Sequence, residues 1–321
     1  MRRALWFAGG LLASVLAVWG IARGDEGPPA WAYAVNPPGV IPPPDDGTPR
    51  HVPDSAAGFT LTQIRDLFFS PDWHPEDHPA MPDIVARGRR PEVRACGSCH
   101  RADGSGGPEN ASIAGLPIAY FRQQVADFRS GARGTSVAGR APTTLMLATV
   151  KEITDEEIEA AAAYFSSIRP KASVRVVEAT EVPRTFVTGW HLAVAPGGGT
   201  EPIGQRIVEV PENLEAFSLR DGRARFVAYA PPGSIERGGA LAAFGAGGQA
   251  PCATCHGPDL RGREAVPGIA GRSPSYAVRQ FYDFRTGARA GPGSAPMRAI
   301  AERLSADDMI ALAAYAASLS P

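Results

Sequence analysis

The hydrophobic and polar positions of this chain run through the same succession twice. In the first half, Tyr120, Gln124 and Phe128 stand at i, i+4 and i+8, and Gly131 stands where a helix meets its C-cap glycine. In the second half Tyr276, Gln280, Phe284 and Gly287 repeat the pattern. The spacing predicts an amphipathic helix over residues 123–129 and over its counterpart. Thr154-Asp155-Glu156-Glu157 and Ser305-Ala306-Asp307-Asp308 are N-capping signals. Alanine-rich runs follow at residues 160–167 and 311–318, so each half closes on a helix. Residues 84–89 and 235–244 are candidate opening helices. Between residues 171 and 230 the rhythm changes. Val174-Arg175-Val176, Ile207-Val208-Glu209-Val210, and Phe217-Ser218-Leu219 ahead of Asp221-Gly222 read as strands, the last with a hairpin turn.

The two halves are an internal repeat. A shift of 156 residues carries Cys96 onto Cys252 and Ile113-Ala114-Gly115 onto Ile269-Ala270-Gly271. It also carries Tyr120, Gln124, Asp127, Phe128, Arg129 and Arg133 onto Tyr276, Gln280, Asp283, Phe284, Arg285 and Arg289. After a five-residue shortening the shift becomes 151, and Met146 falls on Met297, Thr154 on Ser305 and Tyr164 on Tyr315.

The N-terminus belongs to neither copy. Arg2 and Arg3 precede an uncharged apolar run over residues 4–22. It suits either a cleaved export signal, whose core needs about 7–15 apolar residues, or a retained anchor, which needs about 20. Both place the body outside the cytoplasm. Nine prolines between residues 25 and 53 exclude a helix there and predict an extended spacer, in which Trp31, Tyr33 and Val35 alternate as a strand-like strap. The expected organisation is therefore residues 1–24 signal or anchor, 25–75 Pro-rich extended segment, 76–170 first repeat, 171–230 β-containing connector and 231–321 second repeat.

Composition narrows the function. An apolar fraction of 44% supports packed cores, and a formal net charge of −1 argues against nucleic acid as the main partner. Lys151 and Lys171 are the only lysines, so a lysine-ringed docking face cannot be built. The four cysteines, Cys96, Cys99, Cys252 and Cys255, all lie in Cys-x-x-Cys-His strings, which leaves none for a disulfide framework. On a helical turn two sulfurs three residues apart share one side and can add to the two vinyl groups of one haem. His100 and His256 then face the iron as proximal ligands. Met146 and Met297, paired by the repeat and set before the final helix, are the candidates for the sixth position. Histidine–methionine ligation raises the potential and suits electron transfer. Met81 precedes its string, and Met309 falls on Ile158, a core position. Two other chemistries remain open for Cys-x-x-Cys, a redox dithiol and a zinc site. Arg129, Arg285, Arg133 and Arg289 are candidates to neutralise haem propionates, against the alternative of a solvated face. The paired aromatics are expected to pack the repeat cores, and His74-Pro75-Glu76-Asp77-His78 to form an exposed loop rather than a metal site.

The succession Cys-x-x-Cys-His, Gln124-Val125-Ala126-Asp127-Phe128-Arg129-Ser130-Gly131, Met146, and the helix from Thr154 resembles a class I cytochrome c domain of the cytochrome c4 and c553 group. The second copy, through Pro296-Met297 and the helix after Leu304, resembles it equally. The resemblance covers about residues 80–170 and 232–320. It implies a mostly α fold: two class I cytochrome c helical domains, here joined by a β-containing connector. It also implies two covalently attached haem c groups with histidine–methionine ligation, and service as a periplasmic electron carrier between redox proteins such as dehydrogenases, oxidases or other cytochromes. A cytochrome subunit of a membrane-bound dehydrogenase, anchored through residues 4–22, and a dihaem peroxidase are the alternatives. The Pro-rich start and the long connector depart from the family pattern.

Overall fold

The computed structural model describes residues 27–321 except 246, 247 and 249; the apolar run at residues 4–22 lies outside the described residues. No helix among the described residues is long and apolar enough to cross a membrane.

The Pro-rich segment runs without regular structure to a short helix, α1 (Leu61–Arg65), N-capped by Thr60. The first repeat follows with α2 (Asp83–Ala86), α3 (Cys96–His100), α4 (Ile118–Ser130), α5 (Ala141–Glu152) and α6 (Asp155–Ser167). The second repeat contains α8 (Ser234–Phe244), α9 (Cys252–His256), α10 (Pro274–Arg285), α11 (Ala295–Ala301) and α12 (Ala306–Ser318). The capping signals act as expected. Thr154 accepts from the Glu157 amide and Ser305 from the Asp308 amide, and both acidic side chains return a bond to the cap backbone. Gly131 ends α4 in the left-handed conformation (φ 79°), which costs glycine little.

Each repeat buries its own core. Val85, Val93, Val150, Ile158 and Phe165 fill the first. Leu260, Val278, Tyr282, Met309 and Ala313 fill the second. In the second repeat α8 lies directly on α12 because Gly238 has no Cβ; one placed there would collide with the Ala311 carbonyl and Tyr315.

The connector carries β1 (Val174–Glu178), β2 (Glu181–Pro183), β3 (Thr185–Thr188), β4 (His191–Val194), β5 (Thr200–Pro202), β6 (Val208–Pro211), the helix α7 (Leu214–Ser218) and β7 (Phe226–Ala230). Strand β7 sits between β1, parallel to it, and β6, antiparallel to it. Two two-stranded ribbons, β2–β5 and β3–β4, complete the connector. A third small ribbon, β8 (Gly262–Arg263) with β9 (Val266–Pro267), follows the second Cys-x-x-Cys-His string. The three-stranded sheet is not free-standing: Val174, Val176 and Ala228 join the core of the second repeat.

Two local expectations differ from the fold. Phe217-Ser218-Leu219 is not a strand. Asn213 accepts a hydrogen bond from the Ala216 amide and starts α7 instead, so a local cap overrides the β-like composition. The strap around Trp31 to Val35 does not alternate. Ala32, Tyr33 and Ala34 are all buried, because the segment is wedged between elements rather than laid on one surface. Met146 and Met297 do precede the last helix of their repeats, and each stands within a helix of its own, α5 or α11.

Candidate functional site

Each Cys-x-x-Cys-His string forms one helical turn, α3 or α9, and all four thiols are free. Burial pushes the Cys96 thiol up to about 12 and raises that of Cys252. A working redox dithiol needs the opposite shift. Among the described residues no group of three or more His, Cys, Asp and Glu side chains is arranged to hold a metal ion.

The two histidines are oriented identically. Nδ1 of His100 lies 2.8 Å from the Ala111 carbonyl oxygen, and Nδ1 of His256 lies 2.8 Å from that of Pro267. A carbonyl can only accept, so Nδ1 is the donor in both. The neutral ring then carries its lone pair on Nε2, free to bind iron. Burial lowers the pKa of both rings and favours that neutral form.

Met146, on α5, packs with Cys96, Tyr120 and Phe128 against the first core. Met297, on α11, packs with Cys252 and Ile300 against the second. The C-terminal ends of these helices are tied down in the same way. Arg129 donates to the carbonyls of Val150 and Ile153, and Arg285 to those of Ala301 and Leu304. These two arginines are thus occupied with helix ends and are removed from the candidates for propionates.

Arg133 and Arg289 behave differently. Their backbones pair antiparallel across the junction of the repeats. Arg133 donates to Gln124, to Gln280 and to the Tyr276 hydroxyl; Arg289 donates to Gln280, to Gln124 and to the Tyr120 hydroxyl. Each guanidinium lies over the phenylalanine of its own repeat, Phe128 or Phe284. Arg272 adds a third cation, bonded to the carbonyls of Ser112, Ala114 and Gly268. All the hydrogen-bond acceptors of these three guanidiniums are neutral, and the buried Arg289 Nε has none. Tyr120 and Tyr276 therefore serve the junction between repeats and not only the separate cores.

The strap seals that junction. The Tyr33 hydroxyl bonds Asp283 and the Arg279 carbonyl, while Arg140 of the first repeat donates to the Ala34 carbonyl. The segment expected as an exposed loop is exposed only at Pro75 and Glu76: His74 is 5% exposed and pairs with Asp221 at 3.1 Å. His78 lies beside Asp72 and the Tyr164 hydroxyl. Sequence reasoning missed three residues, two beside the first string and one at the junction. Ser70 packs on Gly97, Arg220 lies close to the Cys99 sulfur, and Arg272 crosses between repeats. Arg272 aligns with Leu116, so the repeat offered no signal for it.

The cytochrome c family model matches residues 85–169, the span that holds the first string and Met146. Cytochrome c-554(548) of Halomonas halodenitrificans is 35% identical over 68 residues, which is 21% of this chain and 82% of the relative. The chain belongs to the cytochrome c family. Cytochrome c4 of Azotobacter vinelandii is 28% identical over 229 residues, covering 70% of this chain and 84% of that protein. A protein named thiosulfate dehydrogenase electron acceptor, from Stutzerimonas stutzeri, is 27% identical over 235 residues, covering 72% and 82%. As a dihaem class I cytochrome c, this chain carries two covalently attached haem c groups and transfers electrons between redox partners. The residues present fit that cofactor: paired free thiols on one helical turn, an adjacent imidazole with its lone pair on Nε2, and buried guanidiniums without anionic partners.

Proposed function

We propose that this cytochrome is a periplasmic electron carrier in which each repeat holds its own haem. Cys96 and Cys99 form the thioether bonds of the first haem, and Cys252 and Cys255 those of the second. His100 and His256 are the proximal iron ligands, and Met146 and Met297 the ligands on the opposite face. Residues 1–22 direct the chain to the periplasm. When bound, each haem supplies a one-electron Fe(III)/Fe(II) couple whose potential methionine ligation raises.

The observation that carries this reading is the matched pair of Nδ1–carbonyl hydrogen bonds, His100 to Ala111 and His256 to Pro267. They set the tautomer and fix the ring plane, as the outer partners of metal-bound histidines do. The rest of the chain orients and screens. Arg129 and Arg285 hold the methionine-bearing helices at their ends. Arg133, Arg289 and Arg272 place positive charge between the repeats, where porphyrin carboxylates find counter-charges. No side chain here is asked to make or break a substrate bond. A dehydrogenase that passes on electrons is the class of partner that suits it, in line with the name of the Stutzerimonas relative.

The test is an intact mass with a reduced-minus-oxidised spectrum, expected to show two haems per mature chain. Replacing Met146 or Met297 singly with alanine should each remove about half of the sulfur-to-iron charge-transfer band. Unchanged spectra in both variants overturn the ligand assignment, and a colourless mature chain overturns the whole reading.

A further inference from the structure

The two Cys-x-x-Cys-His strings differ in what covers them. In the first, Ser98 is fully buried and Gly97 is buried too; a Cβ at Gly97 would collide with the Ser70 side chain and press on the Val85 carbonyl. The half-buried Arg220 guanidinium lies close to Cys99, whose sulfur favours its charged form. Ser70 comes from the N-terminal segment and Arg220 from the connector, neither of which has a copy in the other repeat. The two segments are fastened together over the string. Trp73 Nε1 donates to the Leu219 carbonyl at 2.8 Å, His74 meets Asp221 at 3.1 Å, and Arg223 binds Asp77 at 2.7 Å and Glu76 at 2.8 Å.

In the second string the corresponding residues are open. Ala253 is half-buried, and Thr254 and Cys255 are exposed. No counterpart of Ser70 or Arg220 lies over them among the described residues. The neighbouring surface is mixed in charge: Asp259 and Glu264 against Arg261 and Arg263, all exposed. Phe244, at the end of the helix packed against α9, is 82% exposed.

We infer that electrons enter and leave this protein through the second repeat, at the face around Thr254 and Cys255, while the N-terminal segment and connector insulate the first repeat from direct contact with partners. The inference rests on the haem-attachment reading above. A porphyrin bonded to the Cys255 sulfur would lie beside the exposed face, whereas one bonded to Cys99 would hang from a turn that Ser70 covers. Electron tunnelling falls steeply with distance, so the covered side exchanges with a partner more slowly than the open one. The partner is a redox protein that meets this face through apolar and mixed-charge contacts; with no single-sign field on the surface, its association rate should depend little on ionic strength.

The experiment is stopped-flow reduction of the oxidised dihaem protein by hexaammineruthenium(II). Each probe ion gives up one electron, becoming ruthenium(III), and one ferric haem becomes ferrous. The wild type should show two phases, of which only the faster is proportional to probe concentration. Because the probe is a dication, Thr254→Arg should slow the fast phase and Thr254→Glu should speed it by about threefold or more at low ionic strength, both effects shrinking in high salt. Arg220→Ala should make the slower phase probe-dependent. Two wild-type phases that scale equally with probe concentration overturn the inference, as do Thr254 variants that leave the fast phase unchanged. Haem content, measured on the same samples, separates this from the underlying reading. Fewer than two haems per wild-type chain refutes the attachment itself, whatever the kinetics.

Discussion

Arg133 and Arg289, equivalent residues of the two repeats, each reach across the junction to the tyrosine of the other copy while holding the glutamine of their own. Their backbones meet in an antiparallel bridge flanked by the bonds Gly134 N–H to Ala288 carbonyl and Ala290 N–H to Ala132 carbonyl. The two haem domains are therefore joined through a local two-fold arrangement, without help from the connector at that point. Replacing either arginine with methionine leaves a buried tyrosine hydroxyl and amide oxygens short of a donor, and should cost about 1–3 kcal/mol in urea unfolding. Because both side chains share Gln124 and Gln280, the double variant should lose clearly less than the sum of the singles.

Gly97 and Ala253 hold the same place in the two strings, and only the first is crowded. Gly97→Ala should destabilise the protein by about 1–3 kcal/mol through overpacking. Ser70→Gly, by emptying the space the new methyl needs, should recover part of that loss. Equal melting temperatures for Gly97→Ala and the wild type would show that the N-terminal segment does not press on the string.

Arg285 ties the end of α11 by bonds to Ala301 and Leu304, and Arg129 does the same for α5 at Val150 and Ile153. Arg285→Met should destabilise the fold by about 1–3 kcal/mol. It should also weaken the sulfur-to-iron band of the second haem and leave that of the first intact. Arg285→Lys, which keeps charge but loses the fork, should recover only part of the band. A full-strength band in Arg285→Met would confine this arginine to general stability.

The cover over the first string is sensitive to acid. The Arg223 guanidinium, with Lys171 adding to it, holds the Asp77 carboxyl well below the usual carboxylate range. A group whose folded pKa is depressed stabilises the fold above its unfolded value, about 3.9, and that contribution is lost as pH falls toward the folded value. Hydrogen exchange around Trp73 and Leu219 should therefore speed up below about pH 4. Asp77→Asn should show the faster exchange already at pH 7 and a flatter response to acid.

Much of the site was legible in the linear pattern because the chain writes it twice. Helices α4, α6, α10 and α12 announce themselves by period, caps and C-terminal glycines, which are local signals. The pairing of Met146 with Met297 and of the two strings needed only the repeat shift. The helices that carry the methionines escaped notice because α5 and α11 are short of a clear apolar stripe. Their stability comes from packing and from the Arg129 and Arg285 bonds, made by residues from another helix. Phe217 read as a strand residue because β propensity is a weak signal beside the Asn213 cap.

Taken alone, the order of residues determined that there are two haem-binding repeats, where the closing helix of each is capped, and which cysteine, histidine and methionine side chains are their chemical candidates. Those are properties of spacing, and spacing survives without a fold. The tertiary structure decided the rest. It turned Arg133 and Arg289 toward each other's repeat and laid Tyr33 into the seam. It also brought Ser70 and Arg220, far apart in the chain, onto one string while leaving the other open. Such contacts join residues whose separation carries no period and whose identity follows no repeat, so only packing the whole chain into one volume can select them.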